Sequence, residues 1–317
     1  MRFLSPILSL IGVLLAVSLI TFSIQSALPG DAAEVRVGKR DDLTTAQRNL
    51  LVNRERKVLG LDKPLPVQFL RWLEKAVQFD FGDTAGGTPV RGAVAERVLP
   101  SLELALATLI VSLPIATLLA VATVRRGRRF FAAIGDTLSI AGFVIPSFWL
   151  GILLVLLFAI WLRWIPASGF VYFTVDPWGH LERLFMPLVT LSVPTIALYY
   201  NYLRQSLKEA LTSQYVRTAR AKGVSETRML YRHALPNALL PSLTVLGIQF
   251  GQLLGGVVIV ERVFNWPGVG GLLLYSQDQQ DYSTLVACVL AIATAFVVMS
   301  TIIEISYRLV DPRIRRA

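Results

Sequence analysis

"VRTARAKGVSETRMLYRHALPN" (residues 216–237) is a basic, polar island with a Gly where a helix can end and a Pro where another can begin. Its flanks decide the fold class. Residues 184–203 before it and 234–260 after it carry no charged side chain. Four more such runs follow outward: 3–30, 98–124 (broken only by Glu103), 137–162 and 282–303. Each reaches the roughly 20 residues that a helix needs to cross a hydrocarbon core of about 30 Å. Irregular backbone in lipid would leave amides unsatisfied, so the runs are expected to be helices. Alternating ten-residue strands of a barrel are not seen. The rest of the composition agrees, with 54% hydrophobic residues, 16% charged and a mean hydropathy of +0.58 over 317 residues.

Arg2 before the first run resembles the start of a signal peptide. The run is too long for that, and Ala27-Leu28-Pro29 is a poor cleavage site, so it is read as a retained span. The net charge of +10 reads as topology rather than as nucleic-acid binding. With the N-terminus placed inside, the inner segments hold Arg2, then Arg125, Arg126, Arg128 and Arg129. They also hold Arg204, Lys208, Arg217, Arg220, Lys222, Arg228 and Arg232, then Arg308, Arg313, Arg315 and Arg316. The short outer loops hold only Arg163, Arg183 and Arg262. Positive-inside asymmetry therefore puts both termini in the cytoplasm. The 29–97 loop mixes twelve Lys and Arg with ten Asp and Glu, and is long enough to translocate regardless. It reads as a folded outer subdomain, with a helix from Thr44 to Leu59, turns at Asp62-Lys63-Pro64 and Leu65-Pro66, and an amphipathic helix from Val67 to Phe79. Phe69, Leu70, Leu73 and Val77 share a face of that second helix.

No catalytic constellation is legible. His180 and His233 fall on opposite sides of the membrane, no phosphate loop with its Lys occurs, and no G-x-S-x-G elbow occurs. The lone Cys288 lies inside the last span. Glu103, Glu261 and Glu304 lie near span ends, so an ion-coupling carboxylate at mid-membrane is lacking. Pro114, Pro146, Pro187, Pro194 and Pro241 are expected to kink their spans, either for packing or to line a solute path. Gln249, Asn201 and Asn237 are polar residues in or beside spans, candidates for that path or for bonds between helices.

The polar island has its own grammar. Leu203, Leu207, Leu211 and Tyr215 recur every four residues, a stripe that continues span four. Thr212 or Ser213 caps a new short helix. Gly223 ends it, with Val224 returning to Ala219 in a Schellman-type turn. Ser225 and Glu226 open a second piece, which Pro236 closes. A basic helix between two turns suits either a directed protein contact through Arg217 and Arg220 or an anchor on anionic lipid; the pattern alone leaves both open.

At this loop the chain resembles the permeases of ATP-binding cassette importers. The EAA-loop pattern of that family is E-A-A, two residues, Gly, nine residues, I-x-L-P. Thr218-Ala219-Arg220 stands for E-A-A, Gly223 for the Gly and Leu235-Pro236 for L-P. The departures at Thr218, Arg220 and His233 resemble the dipeptide, oligopeptide and nickel branch. "LPGD" at 28–31, "LGLDKPLPVQFLRWL" at 59–73, "FGD" at 81–83 and "RVLPSLELAL" at 97–106 extend the resemblance. So do "IPSFWLGILL" at 145–154, "RHALPNALLPSLTVLG" at 232–247, "ERVFNWPGVGGLL" at 261–273 and "DPRIR" at 311–315. "LPGD" before a long outer loop is similar to the B-type, or first, permease subunit.

The resemblance implies an all-α integral membrane protein of the type I importer permease fold, with six spans and both termini cytoplasmic. Its parts are span one with an outer subdomain (1–97), a five-helix core (98–310) with the coupling loop at about 204–235, and a cytoplasmic tail (311–317). It implies a non-catalytic subunit of an importer of di- or oligopeptides in a bacterial or archaeal inner membrane. Nickel complexes or another small solute are alternative cargoes, and an ATP-independent secondary transporter is the rival outside the family. The implied partners are a second homologous permease, two ATPase subunits that hold ATP and Mg, an outer solute-binding protein and the bilayer. No cofactor is expected in this chain. The coupling residues it implies are Tyr215, Val216, Arg217, Thr218, Ala219, Arg220, Ala221, Lys222 and Gly223.

Overall fold

The computed structural model describes residues 4–27, 32–37, 44–125 and 129–310, with a few side chains, those of 4–10 among them, outside that description. The expected tail at 311–317, "LPGD" at 28–31 and Arg126 and Arg128 fall outside the described residues. The helices are α1 (Leu4–Ala27), α2 (Ala32–Val37), α3 (Thr45–Leu59), α4 (Leu65–Val77), α5 (Val90–Val124), α6 (Arg129–Val144) and α7 (Ser147–Leu154). They continue as α8 (Pro177–Thr212), α9 (Gln214–Ala221), α10 (Glu226–Met229), α11 (Leu235–Phe264), α12 (Val269–Asp278) and α13 (Tyr282–Val310). Among the described residues there is no strand, only an isolated bridge between Asp83 and Pro89.

Residues Met1–Pro100 and Pro267–Val297 form one compact unit. In it α3 starts at Thr44, whose hydroxyl accepts from Gln47 N–H (3.4 Å) while the Gln47 side chain accepts from Thr44 N–H (3.0 Å). It stops at Gly60, at φ +71°, the left-handed conformation that favours glycine. Val52 packs on Ala33 and Val37, and Arg56 reaches Glu34 at 2.7 Å. The ring of Phe69 on α4 meets Phe22 of α1 edge-on at 5.4 Å, beside Trp72. A second core gathers Val90 and Val94 with Val269, Leu272, Ala287 and the buried Cys288.

Residues Ser101–Trp266 and Val298–Ala317 form the other unit. Its core joins Ala116, Ala120 and Val121 of α5 to Ile196, Tyr199, Tyr200, Leu203 and Leu207 of α8, and to Leu230, Ala234 and Ala238.

The helices outrun the apolar runs that announce them. The run 184–203 lies inside the 36-residue α8, and 98–124 inside the 35-residue α5. The run 137–162 is not one straight span. It breaks before Pro146 into α6 and α7 with its π-helical extension Val155–Trp161, and the second arm is bent by 109° from the first. Pro146 lacks a donor and keeps the residue before it out of the α conformation. Pro187, Pro194 and Pro241 lie within unbroken helices. Among the described residues three helices, Val90–Val124, Pro177–Thr212 and Tyr282–Ile303, are long and apolar enough to cross a membrane, or up to five if each bent pair is one span. In α1 the described apolar stretch is the shorter Ile11–Ser23.

Candidate functional site

The polar island folds as a short helix set between two turns. The Leu stripe of α8 buries Leu203 and Leu207 completely and packs Leu211 against the same core. It stops there. Tyr215, expected to continue it, is 44% exposed on α9, because the chain turns at Ser213 (φ −67°, ψ 158°) and the periodicity restarts. Val216 takes over as the one buried residue of α9, at 0% exposure.

Ser213 occupies the N-cap position without capping. Its hydroxyl turns back to donate to the Ala210 carbonyl (2.6 Å), and Thr212 donates to Glu209 O (2.9 Å). The first turn of α9 is closed by Arg217 N–H donating to Ser213 O (3.1 Å) and by Thr218 Oγ1 donating to Gln214 O (3.0 Å). The far end is a full Schellman turn. Val224 N–H donates to Ala219 O (3.2 Å) and Gly223 N–H to Arg220 O (3.0 Å). Gly223 stands at φ +77°, and a Cβ there would touch nothing within 4 Å. The demand for glycine at this position is therefore a backbone demand, not a steric one.

Arg220 fastens the turn. Its Nε and Nη2 donate to the two carboxylate oxygens of Glu226 at 2.8 and 3.2 Å, a bidentate pair that holds the arginine above its usual range. Part of its donor capacity is thus spent inside the loop, which the sequence reading of Arg220 as an outward contact did not foresee. A cue was present in the sequence: an acid six residues on, just past the glycine turn. Tyr215, Arg217, Thr218, Arg220, Ala221, Lys222 and Gly223 are all exposed, with Ala219 half-buried. The fold thus brings the nine implied residues together as one helix and its cap.

Pro236 does not close the second piece. From Glu226 the helical path runs on through a π-helical turn, Leu230–Ala234, into α11. Pro236 lies in the first turn of α11, where a missing N–H does least harm, and the wider π turn absorbs the lost bond. Met229, Leu230 and Ala234 are buried, so the loop returns into the core directly after the exposed helix.

Among the polar residues considered for a solute path, Asn237 donates to its own helix at His233 O (2.6 Å), and Asn201 bonds to Ser139 and to Ala197 O. Gln249 Oε1 is buried without a partner among the described residues.

With this geometry in view, the sequence comparisons settle the class. Residues 112–316 match the family described as "Binding-protein-dependent transport system inner membrane component", and residues 1–93 match the N-terminal region of such membrane components. The chain belongs to this family of transport permeases of the bacterial inner membrane. It is 38% identical over 313 residues, 98% of each chain, to the glutathione transport system permease protein GsiC of Salmonella paratyphi A. It is 36% identical over 310 residues to the protein of the same name from Escherichia coli K12, covering 98% of this chain and 97% of that one. It is 37% identical over 312 residues to a probable peptide ABC transporter permease protein of Sinorhizobium fredii, again covering 98% and 97%.

Proposed function

We propose that this chain is one of two membrane-spanning subunits of an ATP-driven importer of short peptides, with α9 as the helix that seats in a cytoplasmic ATPase. The observation that carries the reading is α9 itself: capped, basic, exposed on nearly every side chain, and joined to the 36-residue α8 through Ser213 alone. The Arg and Lys bias supports placing α9 and both termini on the cytoplasmic side, with six crossings in all. The subunit works beside a second homologous permease, two ATPase subunits that supply the ATP and Mg sites, and an outer solute-binding protein. The chain itself contributes the path and the lever and catalyses nothing. Relatives named for glutathione and peptide transport favour di- and oligopeptides, glutathione-like tripeptides among them, as cargo.

The lever acts by biasing two states of the path. ATPase closure stabilises one arrangement of α9, and the spans follow. The test is reconstitution of the complex in proteoliposomes with labelled di- and tripeptides. Uptake should require ATP and the binding protein. Gly223→Pro, which removes the N–H given to Arg220 O and forbids a positive φ, should leave uptake lost while ATP is still hydrolysed, or the complex unassembled. Normal uptake by that variant would sink the role of α9. ATP-independent uptake by the chain alone would favour a secondary transporter.

A further inference from the structure

A lever needs a load, and α8 carries one beside it. Two to three turns before α8 gives way to α9, its apolar run ends in the polar side chains Tyr200, Asn201 and Arg204. All three reach side chains of α6. Arg204 Nη1 donates to Asp136 Oδ1 in an ion pair, and the Tyr200 hydroxyl donates to the same oxygen at 3.2 Å. Thr123 of α5 stands 3.3 Å from that hydroxyl. One position further along, Asn201 Nδ2 donates to Ser139 Oγ. The guanidinium of Arg204 also lies over the Tyr200 ring, 5.6 Å from its centre.

Beneath these bonds the two backbones touch. Gly135 and Gly142 lie seven residues apart, on one face of α6. A Cβ at Gly135 would run into the Tyr200 ring. One at Gly142 would come within 2.5 Å of Ala197 Cβ and 2.8 Å of Val193 O. The close backbone approach is therefore keyed at Gly135 and Gly142, and the polar bonds at Asp136 and Ser139 lie between them along α6. A slide of one helical turn, about 5.4 Å, would break every one of them together. Arg204 is only 25% exposed, and its Nε is buried without a partner among the described residues. Asp136 is the one acid on α6. Arg204 is more buried than Asp136, which is 48% exposed, so separating the pair would leave a partly buried cation without its acid, at a cost above that of a surface pair.

We infer that Asp136, Arg204 and Tyr200 are positioning residues that fasten α6 to α8, so that the two helices travel as one body when α9 is driven. This rests on the proposed role of α9 as the ATPase lever. No break interrupts α8 between Pro177 and Thr212. Displacement at α9 therefore reaches α6 through this fastening, and passes along α6 as far as the bend at Pro146.

Two experiments on the reconstituted complex test it, with Cys288→Ser as background. In the first, Ser139→Cys and Asn201→Cys replace side chains that already meet. The cross-link should form equally with and without ATP, and the stapled protein should transport at the unstapled rate. A cross-link confined to one nucleotide state, or uptake that stops on oxidation and returns on reduction, would overturn the inference, because α6 and α8 would then have to slide. In the second, Asp136→Asn, Arg204→Met and their double variant are compared by peptide moved per ATP hydrolysed. That ratio should fall about tenfold in each single variant, an ordinary coupling free energy between sites, and no further in the double. Asp136→Glu should restore much of it. An unchanged ratio, or uptake and hydrolysis falling in proportion, would mean that the cluster only holds the fold. Tyr200→Phe is the milder variant if the charge changes prevent assembly; it should lower the same ratio by a smaller factor, and an unchanged ratio would refute it. Wild-type uptake indifferent to ATP would refute the importer reading instead, so the two failures are separable.

Discussion

The two ends of α8 are built on opposite plans. At Pro177 the helix is sealed. Asp176 accepts from Gly179 N–H at 3.0 Å, and His180, 2% exposed, donates through Nδ1 to Val171 O at 2.7 Å while Nε2 lies 3.0 Å from Glu103. The rings of Phe170, Phe173 and Trp266 close around the imidazole. These partners come from α5, from the loop before α8 and from the segment after α11. At Thr212 almost every bond is local. Ser213 bonds back to Ala210, Gly223 and Val224 to the last turn of α9, and Arg220 to Glu226. One end buries His180 against Glu103 and Trp266, both distant in sequence, as well as against the preceding loop. The other holds its own shape and points its side chains outward. A buried, cross-linked end suits a fixed point, and a self-supporting exposed helix suits a handle.

The contrast can be broken most severely where α8 is packed against backbone. Gly142→Val should give the largest loss, about 3 kcal/mol or more, because neither Val193 O nor Pro194 Cα can yield to a side chain. Thermal unfolding of the purified protein in detergent checks this. His180→Ala comes next, at about 2 kcal/mol in the same assay, from the orphaned Val171 carbonyl and the space left among the rings. Gly223→Ala should be milder, about 1 kcal/mol, since the new Cβ meets nothing and only the left-handed backbone is penalised. Its effect should appear in ATPase docking before it appears in melting temperature. Glu226→Gln should be smallest. The pair it weakens is exposed, so melting should not move, while affinity for the ATPase measured at low salt should change as Arg220 is released. If His180→Ala uncoupled transport while Gly223→Pro did not, the roles of the two ends would be reversed.

The handle was largely legible in the sequence because its determinants are close together. Gly223, Val224 and Ala219 spell the Schellman turn, and the island's polarity against flanks of bare hydrocarbon marks where the chain leaves the apolar phase. The reading failed where an irregular local turn or a partner far along the chain decides a residue's fate. Tyr215 fits the Leu stripe by spacing, yet the turn at Ser213 throws it outward and Val216 is buried instead. Pro236 looks like a stop, yet a π turn carries the helix past it. Asp136 and Arg204 each sit just outside an apolar run, so they read as loop charges, and only the overlap of α6 with α8 makes them a pair.

By itself, then, the sequence determined an all-helical membrane protein with a basic helix ended by a Schellman turn and a folded segment after α1. Hydrophobic run length and turn chemistry are local quantities, and they mark apolar helices and the ends of α3 and α9. The bend at Pro146 was legible as a kink, though not its size; tertiary structure alone decided the burial of His180 against Glu103 and the pairing of α6 with α8. The pairing of α6 with α8 depends on which helix faces which, and that follows from packing at Gly135, Gly142 and Tyr200, which no single segment encodes.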